Sequence, residues 1–328
     1  MVSMKEIAKR AGVSVATVSY ALNESSKIPE TTRNKIKEIA NELHYVPNAM
    51  ARSLKKQETK IIGIFFILDY SGSFFGPILQ GIYESLADTG YEVIVCYGEN
   101  SHRFLPEQVI DGAIILDAGF STEELTRYAD QGHKMVVLDR EVKHPNVNQI
   151  LLDNRGGAKI AIDYLLEKGH KKLYIVKGHV DAYDANERLH AVRETVKQYE
   201  NIEYHEIEGF FDKQSGELAA EKIVLEYSEP AAIFCLNDNM AIGMYDYISN
   251  TDFRIGEHFH IIGFDHTELS QYVTPKLATI DFSKRQWGAL AAKNLLKLLA
   301  NKPVKNELIQ VSLIEGESVQ SIKKELIS

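Results

Sequence analysis

Four polar clusters stand directly behind short apolar runs: Asp69 to Ser73, Asp139–Arg140, Asn237–Asp238 and Asp265–His266. Carboxylates, an amide and a guanidinium in such places can hold a small polar ligand through charge-assisted hydrogen bonds. They do not make a catalytic set. The sequence has no GxxxxGK[ST] loop, no GxGxxG after its first strand-like run, no GxSxG and no HExxH. Asp265 and His266 are neighbours in sequence, which supplies neither a nucleophile nor an oriented base. His258, His260 and His266 lack the cysteine or glutamate spacing of a metal site and read as loop histidines. No catalytic residue, metal or cofactor is expected.

A different chemistry is suggested near the N-terminus. "AGVSVATVSYALN", residues 11 to 23, places a glycine turn before a short helix-forming run. Its valines and leucine can anchor one face, while Val15, Ala16, Ser19 and Tyr20 point elsewhere. So short a helix is not stable alone in water and needs a packed partner. Residues 1–60 hold 11 Lys/Arg and 6 Asp/Glu, a net of +5; the rest of the chain holds 26 and 40, a net of −14, against −9 overall. A basic head on an acidic body suggests that only the head meets a polyanion.

The elements that must position these residues follow from periodicity and punctuation. Ser3 and Glu6 form a capping-box pattern, opening a helix that Gly12 closes. Ser14 caps a second helix, Val15 to Leu22, which ends at Asn23. After "ESSKIP", Ile36, Ile39, Ala40 and Leu43 recur at helical spacing. With Ile7, Ala8, Val13, Val18, Leu22 and Ile28 they complete one small core, a helix-turn-helix buttressed by a third helix. Pro47 stops that third helix. Asn48 to Leu54 then suits one short amphipathic helix ahead of a polar linker.

From Ile61 the texture alternates. "IIGIFFIL", "YEVIVCY", "GAIILD", "KMVVLD", "KLYIVKG", "AAIFCLN" and "FHIIGFD" are short, apolar and β-rich, and nearly all precede helix-like segments. Such strands belong to parallel sheets covered on both faces. Their number exceeds one comfortable sheet, so two Rossmann-like subdomains are expected, with ligands beyond the carboxyl ends of the strands. Composition agrees with a globular chain, 45% hydrophobic and 25% charged. No run is long and apolar enough to span a bilayer. "MVSMKEIAKR" lacks the apolar core of an export signal, and Cys96 and Cys235 sit in apolar runs as core thiols. A cytoplasmic location is expected.

Six stretches, in this order, carry a resemblance: "MKEIAKRAGVSVATVSYALN", "TRNKIKEIANELHYVPNAMARSL", "DNRGGAKIAIDYLLEKGHKKLYIVKG", "NERLHAV", "NDNMAIGMYDYI" and "IIGFDHTELSQYVTPKLATI". Together they resemble the LacI/GalR family of bacterial regulators, collinearly from about residue 3 to about 315. The resemblance implies a small all-α helix-turn-helix head and an α/β body of two Rossmann-like subdomains, periplasmic-binding-protein-like. It implies a head at 1–46, a hinge helix and linker at 47–60, and an effector-binding and dimerisation body at 61–328. Within the body it implies an N-subdomain at about 61–152 and 282–311, and a C-subdomain at about 153–281 and 312–328.

The implied function is a sequence-specific transcriptional regulator, a repressor of a carbohydrate operon. Its implied partners are a pseudo-palindromic double-stranded DNA operator, a second copy of the chain, and a sugar or sugar phosphate. A nucleobase or phosphoprotein corepressor is the alternative within the family, and a solute-binding module without DNA function the alternative outside it. By resemblance, Val15, Ala16 and Tyr20 read bases, while Thr17, Ser19 and Asn23 take phosphate-contacting positions; Met4, Lys5 and Tyr45 complete the DNA-facing set of the head. Asn48, Ala51, Arg52 and Leu54 are the hinge positions, with Leu54 the wedge into a minor-groove step. Ser71, Ser73, Phe74, Asp139, Arg188, Phe211, Asn237 and Asp265 are the implied effector contacts.

Ordinary structural roles stand beside these: a core leucine at 54, a surface ion pair at Arg188, a core aromatic at Phe211, and helix caps at Asn237 and Asp265. Tyr20 stands where many relatives carry Arg, so guanine cannot be read there by a bidentate fork. The connection "CYGENSHRFLPEQVIDG" is short and leaves little room for the usual helix. The end of the chain has no heptad-bearing tail, so a coiled-coil tetramer is not expected.

Overall fold

The computed structural model describes residues 2–46, 58–66, 72–138 and 140–322, with only the backbone at 72 and 73. The chain forms two compact units, Met1–Thr59 and Lys60–Ser328.

Among the described residues the first unit holds three helices, α1 (Met4–Ala11), α2 (Val15–Leu22) and α3 (Glu30–Glu42). Local chemistry sets their ends. The Ser3 backbone amide donates to Glu6 Oε2 at 2.7 Å, and Gly12 closes α1 at φ 72°. The Thr17 amide donates to Ser14 Oγ at 3.1 Å, capping α2. Ile7, Val18 and Ile36 are fully buried, with Leu22, Ile28, Leu43, Met4 and Tyr45 packed around them. Each such aliphatic side chain contributes about 1.5–3 kcal/mol on burial, which holds together helices that would not form singly.

The second unit contains two six-stranded sheets. The first has the order β11-β5-β4-β3-β1-β2, from β1 (Ile61–Phe66), β2 (Glu92–Cys96), β3 (Gly112–Leu116), β4 (Lys134–Val137), β5 (Val147–Leu152) and β11 (Glu307–Ile309). All its pairs are parallel, Ile64 standing opposite Ile114 for example. The second has the order β12-β10-β9-β8-β6-β7, from β6 (Lys172–Val176), β7 (Glu203–Ile207), β8 (Ala231–Cys235), β9 (Phe259–Phe264), β10 (Ala278–Asp281) and β12 (Ser312–Ile314). Only β12 runs antiparallel to its neighbour. Every residue of "GAIIL" and of "AAIFC" is buried, as sheets covered on both faces require. Cys96 and Cys235 are buried free thiols, and burial pushes the Cys96 thiol up to about 11. In the short connection after β2 stands a 3-10 turn, Glu99–Phe104.

The covering helices are α4 (Gly72–Leu86), α5 (Thr122–Asp130), α6 (Asn154–Glu167), α7 (Tyr183–Val196), α8 (Lys213–Leu225), α9 (Asp238–Ile248) and α10 (Lys284–Leu299). The chain passes from one sheet to the other three times: between β5 and α6, between β10 and α10, and between β11 and β12. On the first sheet, α4 and α10 touch backbone to backbone. A Cβ at Gly81 would lie 2.0 Å from the Arg285 carbonyl oxygen, and one at Gly288 2.0 Å from that of Ile78. These glycines permit an approach that no other residue allows.

Candidate functional site

The carboxyl ends of both sheets open onto one cavity of about 650 Å³. Phe74 of α4, Leu116, Leu138, Arg140 and Trp287 line it from the first sheet's side; Arg188, Phe211, Asn237 and Asp265 line it from the second's. This is where ligands enter doubly wound sheets, and the volume lies in the range of small-molecule pockets.

Arg188 is the most heavily engaged side chain. It is 2% exposed on α7. Its Nε donates to Asn154 Oδ1 at 2.8 Å, and Nη1 donates to the Leu236 carbonyl. Its guanidinium lies 3.6 Å from the centre of the Phe264 ring, a close cation–π stack. Nη2 is left between two carboxylates, Asp184 Oδ2 at 3.5 Å and Asp265 Oδ1 at 3.7 Å.

Asp265 follows β9 directly. Its Oδ1 is buried without a hydrogen-bond partner among the described residues. Burial pushes its carboxyl up to about 7, against the pull of Arg188 and Lys284. Its backbone is left-handed at φ 109°, which is costly for a residue with a Cβ.

Asn237 lines the cavity and also caps α9: its Oδ1 accepts from the Met240 amide at 3.0 Å, and its Nδ2 donates to the Phe211 carbonyl at 2.8 Å. That fixes Phe211, itself at φ 65°, with its ring laid over Gly178. Phe74 is buried at the cavity wall. Ser71 and Asp139 lie outside the described residues, as does the side chain of Ser73.

The other members of the sequence clusters do structural work. Asp238 is fully buried, and its carboxylate accepts from Thr279 Oγ1 at 2.6 Å and from the Thr267 amide at 2.7 Å. His266 turns from the cavity toward Asp281, 3.3 Å away. His260 is not a loop residue but lies buried within β9, its ring tilted against His170 at 4.2 Å and accepting from the Gln320 amide; His258 accepts from the Arg254 amide. Arg140 donates to the carbonyls of Asp117 and Phe120. Sequence reasoning missed Asp184, Asn154 and Lys284. Asp184 had a signal, since it stands one helical turn before Arg188; Lys284 had none.

In the head, Val15 and Tyr20 are 41% and 38% exposed and share a face of α2 with exposed Ala16. Lys27 reaches over the Tyr20 ring at 5.4 Å. Ser19 and Thr17 are half-buried; the Thr17 hydroxyl lies 2.8 Å from Ser14 Oγ, and Asn23 Nδ2 donates to the Ser19 carbonyl at 2.7 Å. Lys5 is exposed, whereas Met4 and Tyr45 are half-buried against the head's core. Asn48, Ala51, Arg52 and Leu54 lie outside the described residues.

A helix-turn-helix with an exposed, uncharged second helix, and a two-sheet body whose strand ends open on a cavity of apolar walls and a few charged side chains, define a ligand-responsive DNA-binding protein. Residues 3–48 match the family described as "Bacterial regulatory proteins, lacI family", and residues 162–319 match "Periplasmic binding protein-like domain". The HTH-type transcriptional repressor PurR of Vibrio cholerae serotype O1 (strain M66-2) is 30% identical over 338 residues, 99% of this chain and 100% of that protein. A sugar-binding transcriptional regulator (LacI family) from Enterococcus faecalis is 44% identical with a TM-score of 0.76, over 80% of this chain and 99% of that one. The Lac repressor dimer bound to operator and the anti-inducer ONPF is 26% identical with a TM-score of 0.82, over 97% and 99%. The chain belongs to the LacI family of bacterial regulatory proteins. It is a DNA-binding transcriptional regulator, not an enzyme.

Proposed function

We propose that the chain represses a carbohydrate-utilisation operon and that its cavity takes a polyhydroxylated, sugar-like effector. The observation that carries this is the buried, unpaired Asp265 Oδ1 beside Arg188. A ligand hydroxyl can donate to the one and accept from the other, removing the penalty of an orphaned acceptor. Asp181 and Asp184 line the cavity against Arg140 and Arg188, with Asp265 partly ionised near neutral pH, so the lining holds no excess positive charge to draw a sugar phosphate over a neutral sugar. Phe211 and Phe74 offer apolar faces for a ring. The Enterococcus faecalis relative described as sugar-binding supports the same class.

The mechanism follows from the three crossovers. A ligand bridging the two sheets changes their relative orientation, and the homodimer passes that change to residues 48–54 and so to the grip on a pseudo-palindromic operator. Val15, Ala16 and Tyr20 read base edges, and Thr17, Ser19, Asn23 and Lys5 contact the backbone. On this reading the protein works in the bacterial cytoplasm, on the nucleoid.

Thermal shift with D-glucose, D-galactose, D-ribose, cellobiose, glucose 6-phosphate, adenine and guanine tests the effector class. A neutral sugar at 100 times its dissociation constant stabilises by about 2.7 kcal/mol. Stabilisation by a nucleobase alone, or by none of the seven, rejects the sugar reading.

A further inference from the structure

Lys284 is the first residue of α10 and is only 7% exposed. A cation there is doubly disfavoured: it loses hydration, and it faces the positive end of a helix dipole with no acid in the first turn. Methionine would fill the same space without either cost. The charge therefore has a task.

Its ammonium donates to the backbone carbonyl of Asp265 and lies 4.3 Å from the centre of the Phe282 ring and 5.9 Å from that of Phe74. These partners come from three places. Asp265 ends β9 of the second sheet, Phe282 lies in the crossover between β10 and α10, and Phe74 belongs to α4 on the first sheet. The peptide that Lys284 holds is also the strained one, with Asp265 at φ 109° and His266 at φ 45°. Such conformations persist where surrounding contacts over-determine them.

We propose that Lys284 is a positioning residue that couples the effector cavity to the crossover between the sheets. It holds Asp265 in the backbone conformation that aims its carboxylate at the cavity, and it carries any displacement of Asp265 into α10. Helix α10 cannot absorb that displacement alone, because Gly81 and Gly288 lock it backbone to backbone against α4. Helix α4 moves with it and carries Phe74, the opposite wall of the cavity. The role in effector response rests on the cavity reading above; the coupling itself is tested without any ligand.

The experiment is amide exchange on the full-length protein, comparing wild type, Lys284→Met and Lys284→Arg. Loss of the cation should speed exchange about tenfold both at 264–268 and across the boundary at 74–86 and 284–290, leaving the other strands unchanged. Lys284→Arg should restore much of the protection. A carboxyl-carbon NMR titration gives the second readout. The charged groups facing Asp265 are Arg188 and Asp184 from α7, Asp238 from α9 and Lys284 from α10. Lys284→Met should move the Asp265 titration upward, and Lys284→Arg should leave it near the wild-type position. Faster exchange at 264–268 alone, uniform loosening of the body, or an unmoved titration overturns the proposal. A failed sugar panel does not touch these readouts.

Discussion

Arg188 Nη2 lies 3.7 Å from Asp265 Oδ1, too far for a hydrogen bond, and that oxygen has no other partner among the described residues. The remaining nitrogens of the same guanidinium are tied to Asn154 and Leu236. Arg188 is thus scaffold on two sides and open on the third. Arg188→Ala strips all of these at once and leaves Asp184 and Asp265 facing each other, so we expect a loss of about 3–5 kcal/mol of body stability. Urea unfolding of the full chain measures it. A loss under about 1 kcal/mol would show that the guanidinium is not structural. Asp265→Asn should keep the fold and weaken binding of the sugar that stabilises most in the panel, by about 1.5–3 kcal/mol.

The same carboxyl sets a pH dependence. Burial raises Asp265 from 3.8 to about 7 in the folded chain. The folded state therefore binds the extra proton between these values, and the contribution of this group to stability is full below about 4 and is lost as pH rises through about 7. Sugar hydroxyls donate to the ionised form, so sugar affinity should climb with pH up to about 7 and then flatten, with proton release below it. Calorimetric titration in two buffers of different ionisation heat reads both effects. Asp265→Asn should abolish them; a pH-independent affinity in the unsubstituted protein contradicts the assignment.

The head was legible because its signals are local. Ser3 with Glu6, Gly12, and Ser14 with Thr17 act within four residues, and each cap stands where the sequence places it. The seven unbroken apolar runs all became strands. β5 was not legible, because Asn148 and Gln149 interrupt it. Asn148 is fully buried, and its amide donates to the Lys305 carbonyl and to Asn306 Oδ1, partners more than 150 residues away. β7 reads as polar because it is a sheet edge with Glu203 exposed. In the cavity, Asn237 and Asp265 were legible as polar residues at the ends of apolar strands, whereas Arg188, inside a helix, came from motif resemblance. Lys284 escaped, because a lysine at the start of an amphipathic helix reads as solvated until the crossover buries it.

Phe211 offers a test of whether the cavity needs an aromatic wall. A Cβ at Gly178 would lie 2.2 Å from Phe211 Cζ, so Gly178→Ala must push the ring aside. Overpacking of this kind costs about 1–3 kcal/mol, and the Asn237 bond to the Phe211 carbonyl limits how the strain can relax. We expect a modest fall in melting temperature and about a tenfold loss of sugar affinity, since the displaced ring can no longer face the ligand. Equal affinity in the variant, measured by calorimetry, would make Phe211 a packing residue only.

The head carries the last prediction. Val15, Ala16 and Tyr20 present an exposed face without a charge, so the attraction to phosphates must come from other residues of the basic head. Base choice and salt dependence should therefore separate. Tyr20→Arg places a bidentate donor on the exposed face of α2 and, if that face enters the groove as proposed, should shift preference toward guanine at one position of each half-site, by about 1–3 kcal/mol. Lys5→Ala should weaken every duplex similarly and flatten the slope of log affinity against log salt by about one. Selection from a random duplex pool reads the first effect, and fluorescence anisotropy across a salt series reads the second. If Tyr20→Arg changes only the slope and Lys5→Ala changes the selected sequence, the two roles are exchanged. If neither variant alters binding, α2 is not the helix that enters the groove.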